Sequence, residues 1–154
     1  MKSELYFVGK TTDKYLIEGI ELYLKRLKHY LPVEVTIIPP SPQNEAIKGV
    51  LEEGAQMLAR IKLRDFVVLM DENGSMLSSI ELSSKMQKWM LEGYNKLIFI
   101  TGGAYGLSEP LRKRANYTLS ASKFTFTHQM IRLILVEQLY RAMTIIKNES
   151  YHHG

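Results

Sequence analysis

Leu97-Ile98-Phe99-Ile100-Thr101-Gly102-Gly103-Ala104-Tyr105-Gly106 decides the fold. An unbroken apolar run that stops in a glycine-rich loop is the pattern of a central parallel strand, covered on both faces and open at its carboxyl end. The glycines let the backbone approach a ligand closely and adopt positive φ. They are not the dinucleotide fingerprint, which needs G-x-G-x-x-G and a later acid, nor a phosphate loop, since no Gly-Lys-Ser or Gly-Lys-Thr follows. A purely structural turn is the plainer alternative.

Working outward, Phe66-Val67-Val68-Leu69-Met70 is a second such run, and Asp71-Glu72-Asn73-Gly74 is expected to turn the chain at its end. Tyr117-Thr118-Leu119-Ser120 reads as a shorter strand. Between these, Ser78-Ser79-Ile80-Glu81 has the form of a capping box ahead of a helix lined by Leu82, Met86 and Trp89. Ser108 and Pro110 mark another helix start.

Upstream, Leu5 to Val8 is a strand. The spacing of Leu16, Ile20, Leu24 and Leu27 predicts a helix over 13–28, capped by Thr12 or Asp13. Val33 to Ile38 is a strand that Pro39-Pro40-Ser41-Pro42 ends. The next helix is expected to start between Pro42 and Ala46 and to turn Ile47, Val50, Leu51, Leu58 and Ile61 inward. Downstream, Gln129 to Lys147 is a helix apolar around its circumference, more than one sheet covers, so a second subunit is expected on its far side.

Strands alternating with helices give an α/β fold: a mostly parallel sheet with helices on both faces. A length of 154 residues fits one domain, 1–154, without a separate substrate domain. The chain contains no cysteine, which excludes thiolate chemistry and disulfides. No apolar stretch reaches the roughly 20 residues of a membrane span, and no secretory signal is visible, so the expected location is cytoplasmic.

The formal charge is +4, and residues 111–154 carry seven Lys or Arg against two acids. That imbalance fits RNA or another phosphate-rich partner, with an ordinary solvated surface as the plainer alternative. Three strand ends, at Met70, Thr101 and Ser120, are expected to converge on one crevice, because ligands bind outside the carboxyl ends of an open parallel sheet. Ala121, Ser122, Lys123, Phe124, Thr125 and Phe126 follow the last of these, with polar groups for a purine edge and aromatic contact from Phe124 or Phe126. Glu137 and Arg141 are spaced to pair on the long helix, whereas Arg132 is expected to be exposed near the loop. His128, His152 and His153 lack a spaced acid or cysteine, so no metal site is expected.

The ordered series Gly102-Gly103-x-x-Gly106-Leu107, Leu119-Ser120-x-Ser122-Lys123-x-Thr125-Phe126-x-His128-Gln129-x-x-Arg132, Glu137-Gln138-x-Tyr140-Arg141-Ala142 and Tyr151-His152 resembles the ribosomal RNA large subunit methyltransferase H family. These are pseudouridine N3-methyltransferases of the knotted SPOUT superfamily, and the likeness runs the full length, from Val8-Gly9-Lys10 onward. The resemblance implies a C-terminal trefoil knot spanning about 66–146, a homodimer, and S-adenosylmethionine held by Met70 and its neighbours, by Gly102, Gly103 and Gly106, and by Ala121 through Phe126. It implies a pseudouridine of 23S ribosomal RNA, on the assembled ribosome, as the substrate.

On that basis His152 is expected to accept the N3 proton or orient the base, Tyr151 to stack on it, and Arg132 to stabilise the developing anion or hold a phosphate. The chain departs from relatives at His153, where Lys or Arg is common, and within Phe124-Thr125-Phe126-Thr127, which has threonine where proline is common. Competing readings are a knotted transfer-RNA methyltransferase, a non-catalytic ribosome-associated RNA-binding protein, and a structural homodimer.

Overall fold

The structure, a computed structural model, describes residues 1–154. Five strands form one parallel sheet: β1 (Lys2–Val8), β2 (Val33–Ile38), β3 (Asp65–Met76), β4 (Lys96–Thr101) and β5 (Tyr117–Ser120), in the order β2-β1-β4-β3-β5. The intervening helices are α1 (Lys14–Leu27), α2 (Ala46–Arg60), α3 (Ser79–Leu91) and α4 (Glu109–Arg114), and α5 (Met130–Ile146) closes the chain.

Side chains alternate across each strand, so the sheet feeds two cores. Leu5, Phe7, Phe66, Val68, Leu97 and Phe99 face α1, α3 and α5, whereas Tyr6, Val8, Val67, Leu69, Ile98 and Ile100 face α2 and α4. The segments Leu5–Val8, Phe66–Met70 and Leu97–Ile100 of the three central strands are therefore apolar at every position, since both faces are covered. Burial drives this arrangement, at about 25 cal/mol per Å² of apolar surface removed from water.

Helix starts follow from local chemistry. The Ser78 hydroxyl accepts the Glu81 N–H at 3.1 Å, and the Glu81 carboxylate accepts the Ser78 N–H at 2.9 Å, which completes the capping box. At α4, the Ser108 hydroxyl accepts from Leu111 N–H, with Pro110 in the first turn. Asp13 caps α1 without a side-chain hydrogen bond.

Two expectations are corrected. In α2 the inward face is Gly49, Gly54 and Met57, while Ile47 is 70% and Leu51 46% exposed. Here the helix backbone itself is the packing surface: a Cβ on Gly54 would lie 2.3 Å from the Ser108 Oγ. The segment 71–74 does not end its strand. Met70 and Ser75 both pair with Leu119, so these residues are pushed out as an excursion and pairing resumes beyond them. Gly74 is needed there, because a Cβ would come within 2.7 Å of the Thr118 carbonyl.

Candidate active site

The chain crosses from β2 over β1 and β4 to reach β3, and the carboxyl ends of β3, β4 and β5 open beside that crossing. There the three loops do converge. The β3 excursion (Met70, Asp71, Glu72), the glycine loop, and the stretch after β5 surround one crevice of about 590 Å³. This volume lies within the range of sites that bury a nucleoside-sized ligand.

Of the expected cofactor residues, Met70, Gly102, Gly103, Gly106, Ala121, Ser122, Phe124, Thr125 and Phe126 line this crevice. Lys123 does not: it is exposed and stands outside the lining. Asp71 and Glu72, the neighbours of Met70, also line it, as do Tyr105, Leu107, Arg112 and His128, which were not singled out for the cofactor. From the residues alone Asp71 and Glu72 read as turn formers, since their placement depends on the excursion within β3.

The glycine loop is shaped by close backbone approach. The Gly106 N–H donates to the Gly103 carbonyl at 3.2 Å, and a Cβ on Gly102 would sit 2.8 Å from the Gly106 oxygen. Gly106 itself has φ +89, which a side chain resists. Opposite, Ser122 Oγ accepts the Phe124 N–H at 3.0 Å, and the Ser120 hydroxyl donates to the Ser122 carbonyl at 2.8 Å. Phe124 is 78% and Tyr105 77% exposed, so two aromatic rings flank the opening without entering the core.

Charge is distributed asymmetrically. Asp71 is paired with Arg112 at 2.6 Å, whereas Glu72 accepts a neutral hydrogen bond from Thr125 at 2.6 Å and has no cationic partner. The crevice thus keeps one uncompensated carboxylate, which favours a ligand carrying positive charge.

Arg132 is not exposed as expected; it is fully buried. Its guanidinium donates to the Val8 carbonyl at 2.6 Å and to Thr11 Oγ1 at 2.9 Å, and it lies 4.8 Å from the centre of the Phe7 ring. Desolvation draws its pKa down to about 10, which leaves it charged at neutral pH. This cation braces the end of β1 from within α5.

The tail forms a second cluster. Arg141 pairs with Glu137 at 2.5 Å, and its guanidinium lies 4.7 Å from the Tyr151 ring centre. The Tyr151 hydroxyl donates to Glu137 at 3.0 Å and lies 3.2 Å from the Tyr23 hydroxyl. Desolvation first, then these hydrogen bonds, pushes the Tyr151 phenol well above its usual range, so it stays protonated. Arg141 Nη1 stands 3.1 Å from His152 Nδ1. Because arginine only donates, Nδ1 accepts, and the neutral imidazole carries its proton on Nε2.

Crevice and tail are held apart in one chain. Ile131 lines the crevice and Arg141 anchors the tail, and their separation of ten positions along α5 spans on the order of 15 Å. The basic half of the sequence is also less available than its count: Arg112, Arg114, Arg132 and Arg141 all have internal partners. Lys113, Lys123 and Lys147 are exposed. No cluster of three or more His, Asp or Glu side chains is arranged to hold a metal, and no helix is long and apolar enough to cross a membrane.

The family described as "Predicted SPOUT methyltransferase" matches residues 1–152. The ribosomal RNA large subunit methyltransferase H of Cytophaga hutchinsonii is 46% identical over 155 residues, covering 99% of this chain and 100% of the relative. The protein of that name from Christiangramia forsetii is 46% identical, covering 99% of each chain, and that from Natranaerobius thermophilus is 45% identical, covering 99% and 100%. With its parallel sheet, its glycine loop and a match along nearly its whole length, the chain belongs to the ribosomal RNA large subunit methyltransferase H family of SPOUT methyltransferases.

Proposed function

We propose that this protein methylates N3 of a pseudouridine in large-subunit (23S) ribosomal RNA on the assembled ribosome, with S-adenosylmethionine as donor. The observation that carries the reading is the convergence of three strand-end loops on one crevice that keeps the unpaired carboxylate of Glu72. Bound there, S-adenosylmethionine supplies a methyl group on a positively charged sulfonium. The backbone of Gly102, Gly103, Gly106 and residues 121–126 holds the adenosine, Met70 closes its apolar side, and Glu72 favours the cation. Residues 66–146 form the knotted cofactor unit in this reading.

N3 of pseudouridine is an imide nitrogen, so its proton must pass to solvent water before or during attack. His152 and Tyr151 serve this step as orienting groups. With Nδ1 engaged by Arg141, His152 offers Nε2–H to a carbonyl of the base and stabilises the anion that develops there. The protonated Tyr151 packs beside it. Arg132 acts at one remove, fixing the end of β1.

The tail reaches a crevice only if a second subunit supplies it. One side of α5, with Ile131, Ile134 and Ile145 only partly covered, suits a homodimer in which one subunit's tail completes its partner's site. The exposed Lys113, Lys123 and Lys147 then contact RNA phosphates and position the substrate. A cytoplasmic location follows from a ribosomal substrate.

The test is transfer of labelled methyl from S-adenosylmethionine to ribosomes that lack the modification, with transfer RNA in parallel. Label in 3-methylpseudouridine of the large-subunit RNA is the expected result. Label confined to transfer RNA would overturn it.

A further inference from the structure

A second cavity, of about 420 Å³, lies at the ends of β1 and β2 and shares Gly103, Ala104, Tyr105 and His128 with the first crevice. The two compartments therefore meet along one wall. The second contains Glu53, on the inward side of α2. Glu53 Oε2 accepts the backbone N–H of Ser41 at 3.0 Å, which fixes the plane of the carboxylate. Its Oε1 accepts no hydrogen bond within the chain, and Glu53 has no cationic partner within ion-pair distance. A Cβ on Gly103 would lie 3.5 Å from that oxygen, so the glycine keeps the space before it open.

We propose that this cavity seats the acceptor base and that Glu53 Oε1 reads the ring N1–H by which pseudouridine differs from uridine. The inference rests on the methyl-transfer reading above. Pseudouridine is joined to its ribose through carbon, which leaves N1 free to carry a proton; uridine presents a C–H at that edge. N1 and N3 flank the same C2 carbonyl. A base whose N3 faces the donor compartment therefore offers N1–H to a neighbouring compartment, where an oriented carboxylate stands. Tyr105, exposed on the shared wall, supplies an aromatic surface for the ring.

A charge-assisted hydrogen bond contributes more than a neutral one, and a site built around a donor rejects the analogue that lacks it. The wild type is thus expected to favour pseudouridine over uridine by at least about tenfold in kcat/KM.

The test measures that preference on two ribosome preparations, one with pseudouridine and one with uridine at the target position. Glu53→Ala should reduce the preference to below about threefold, chiefly through loss of rate on pseudouridine. Glu53→Gln, which keeps shape and an acceptor oxygen but no charge, should give an intermediate preference and decides alone if Glu53→Ala fails to fold. Tyr105→Leu should slow both substrates together and leave their ratio unchanged. Equal use of both ribosomes by the wild type, or an unchanged ratio in the Glu53 variants, overturns the inference while leaving methyl transfer intact. Failure of the wild type to methylate either preparation, with S-adenosylmethionine binding retained, overturns the functional reading and the inference together.

Discussion

The two ends of α5 serve structures of opposite construction. At its amino-terminal end the loops around the crevice take their shape from close backbone approach at the glycines and from serine hydroxyls bonded to loop amides and carbonyls. At its carboxyl end Tyr151 and His152 are held through side chains, with Glu137, Arg141, Tyr151, Tyr23 and His152 in one connected cluster. A backbone site tolerates changes of side chain and fails when a Cβ is added. A side-chain cluster fails when one member is removed. The proposed reaction needs both, and the length of α5 keeps them apart within one subunit.

That contrast breaks most visibly at Arg141. Arg141→Ala takes the cation from Glu137 and the donor from His152 Nδ1, and methyl transfer should fall by about 10³-fold with S-adenosylmethionine affinity within twofold of wild type. Calorimetric titration of the donor and single-turnover transfer measure the two quantities. An equal loss in both would mean that the tail and crevice are not separate.

Arg132→Ala probes the brace between the ends. It strands the Val8 carbonyl and leaves a buried gap, so unfolding by denaturant should show a loss of about 3 kcal/mol. Gly102→Ala acts on the crevice alone: the clash with the Gly106 oxygen should weaken S-adenosylmethionine binding by about 10- to 100-fold, a cost of 1–3 kcal/mol for a forced shift. The tail, probed by the tyrosine environment in near-ultraviolet dichroism, should not change.

Two smaller effects sharpen the comparison. Because Lys123 stands outside the crevice lining, Lys123→Ala should leave donor affinity unchanged and weaken RNA binding about threefold, with a shallower salt dependence. Near the tail, Tyr30 donates to Glu149, and that hydrogen bond is the main cause that pushes its phenol up to about 12. Its folded pKa is raised, so its contribution to stability is present below about pH 10 and is lost as pH rises toward 12. Tyr30→Phe should flatten the fall in stability over that window, as followed by denaturant titrations at successive pH values.

Much of this architecture was legible where local chemistry and burial agree. Val33–Ile38 and Tyr117–Ser120 have the bounds that their β-branched and apolar runs predict, and the capping box at Ser78 forms as its residues require. The three converging loops were legible too, because apolar strands that stop at polar or glycine residues mark the open edge of a parallel sheet.

What escaped depends on packing between distant segments. The spacing of Ile47 and Leu51 points to a buried apolar stripe, yet α2 turns its glycines inward because Ser41 and Ser108 approach its backbone. Arg132 is polar and near a loop, which favours exposure. Only the free Val8 carbonyl and Thr11 hydroxyl, more than a hundred residues away, make its burial affordable. Glu53 and Glu72 look like ordinary surface acids until the fold shows that one oxygen or one charge lacks a partner.

The most direct test is complementation between two damaged protomers. Arg141→Ala chains carry an intact crevice and a broken tail, and Gly102→Ala chains carry the reverse. If the tail of one subunit serves the crevice of its partner, mixing and reassembling the two should give heterodimers with one sound site and close to half the wild-type transfer rate. Heterodimers no more active than either parent would contradict the account, since the sound crevice and the sound tail would then have to lie on the same chain.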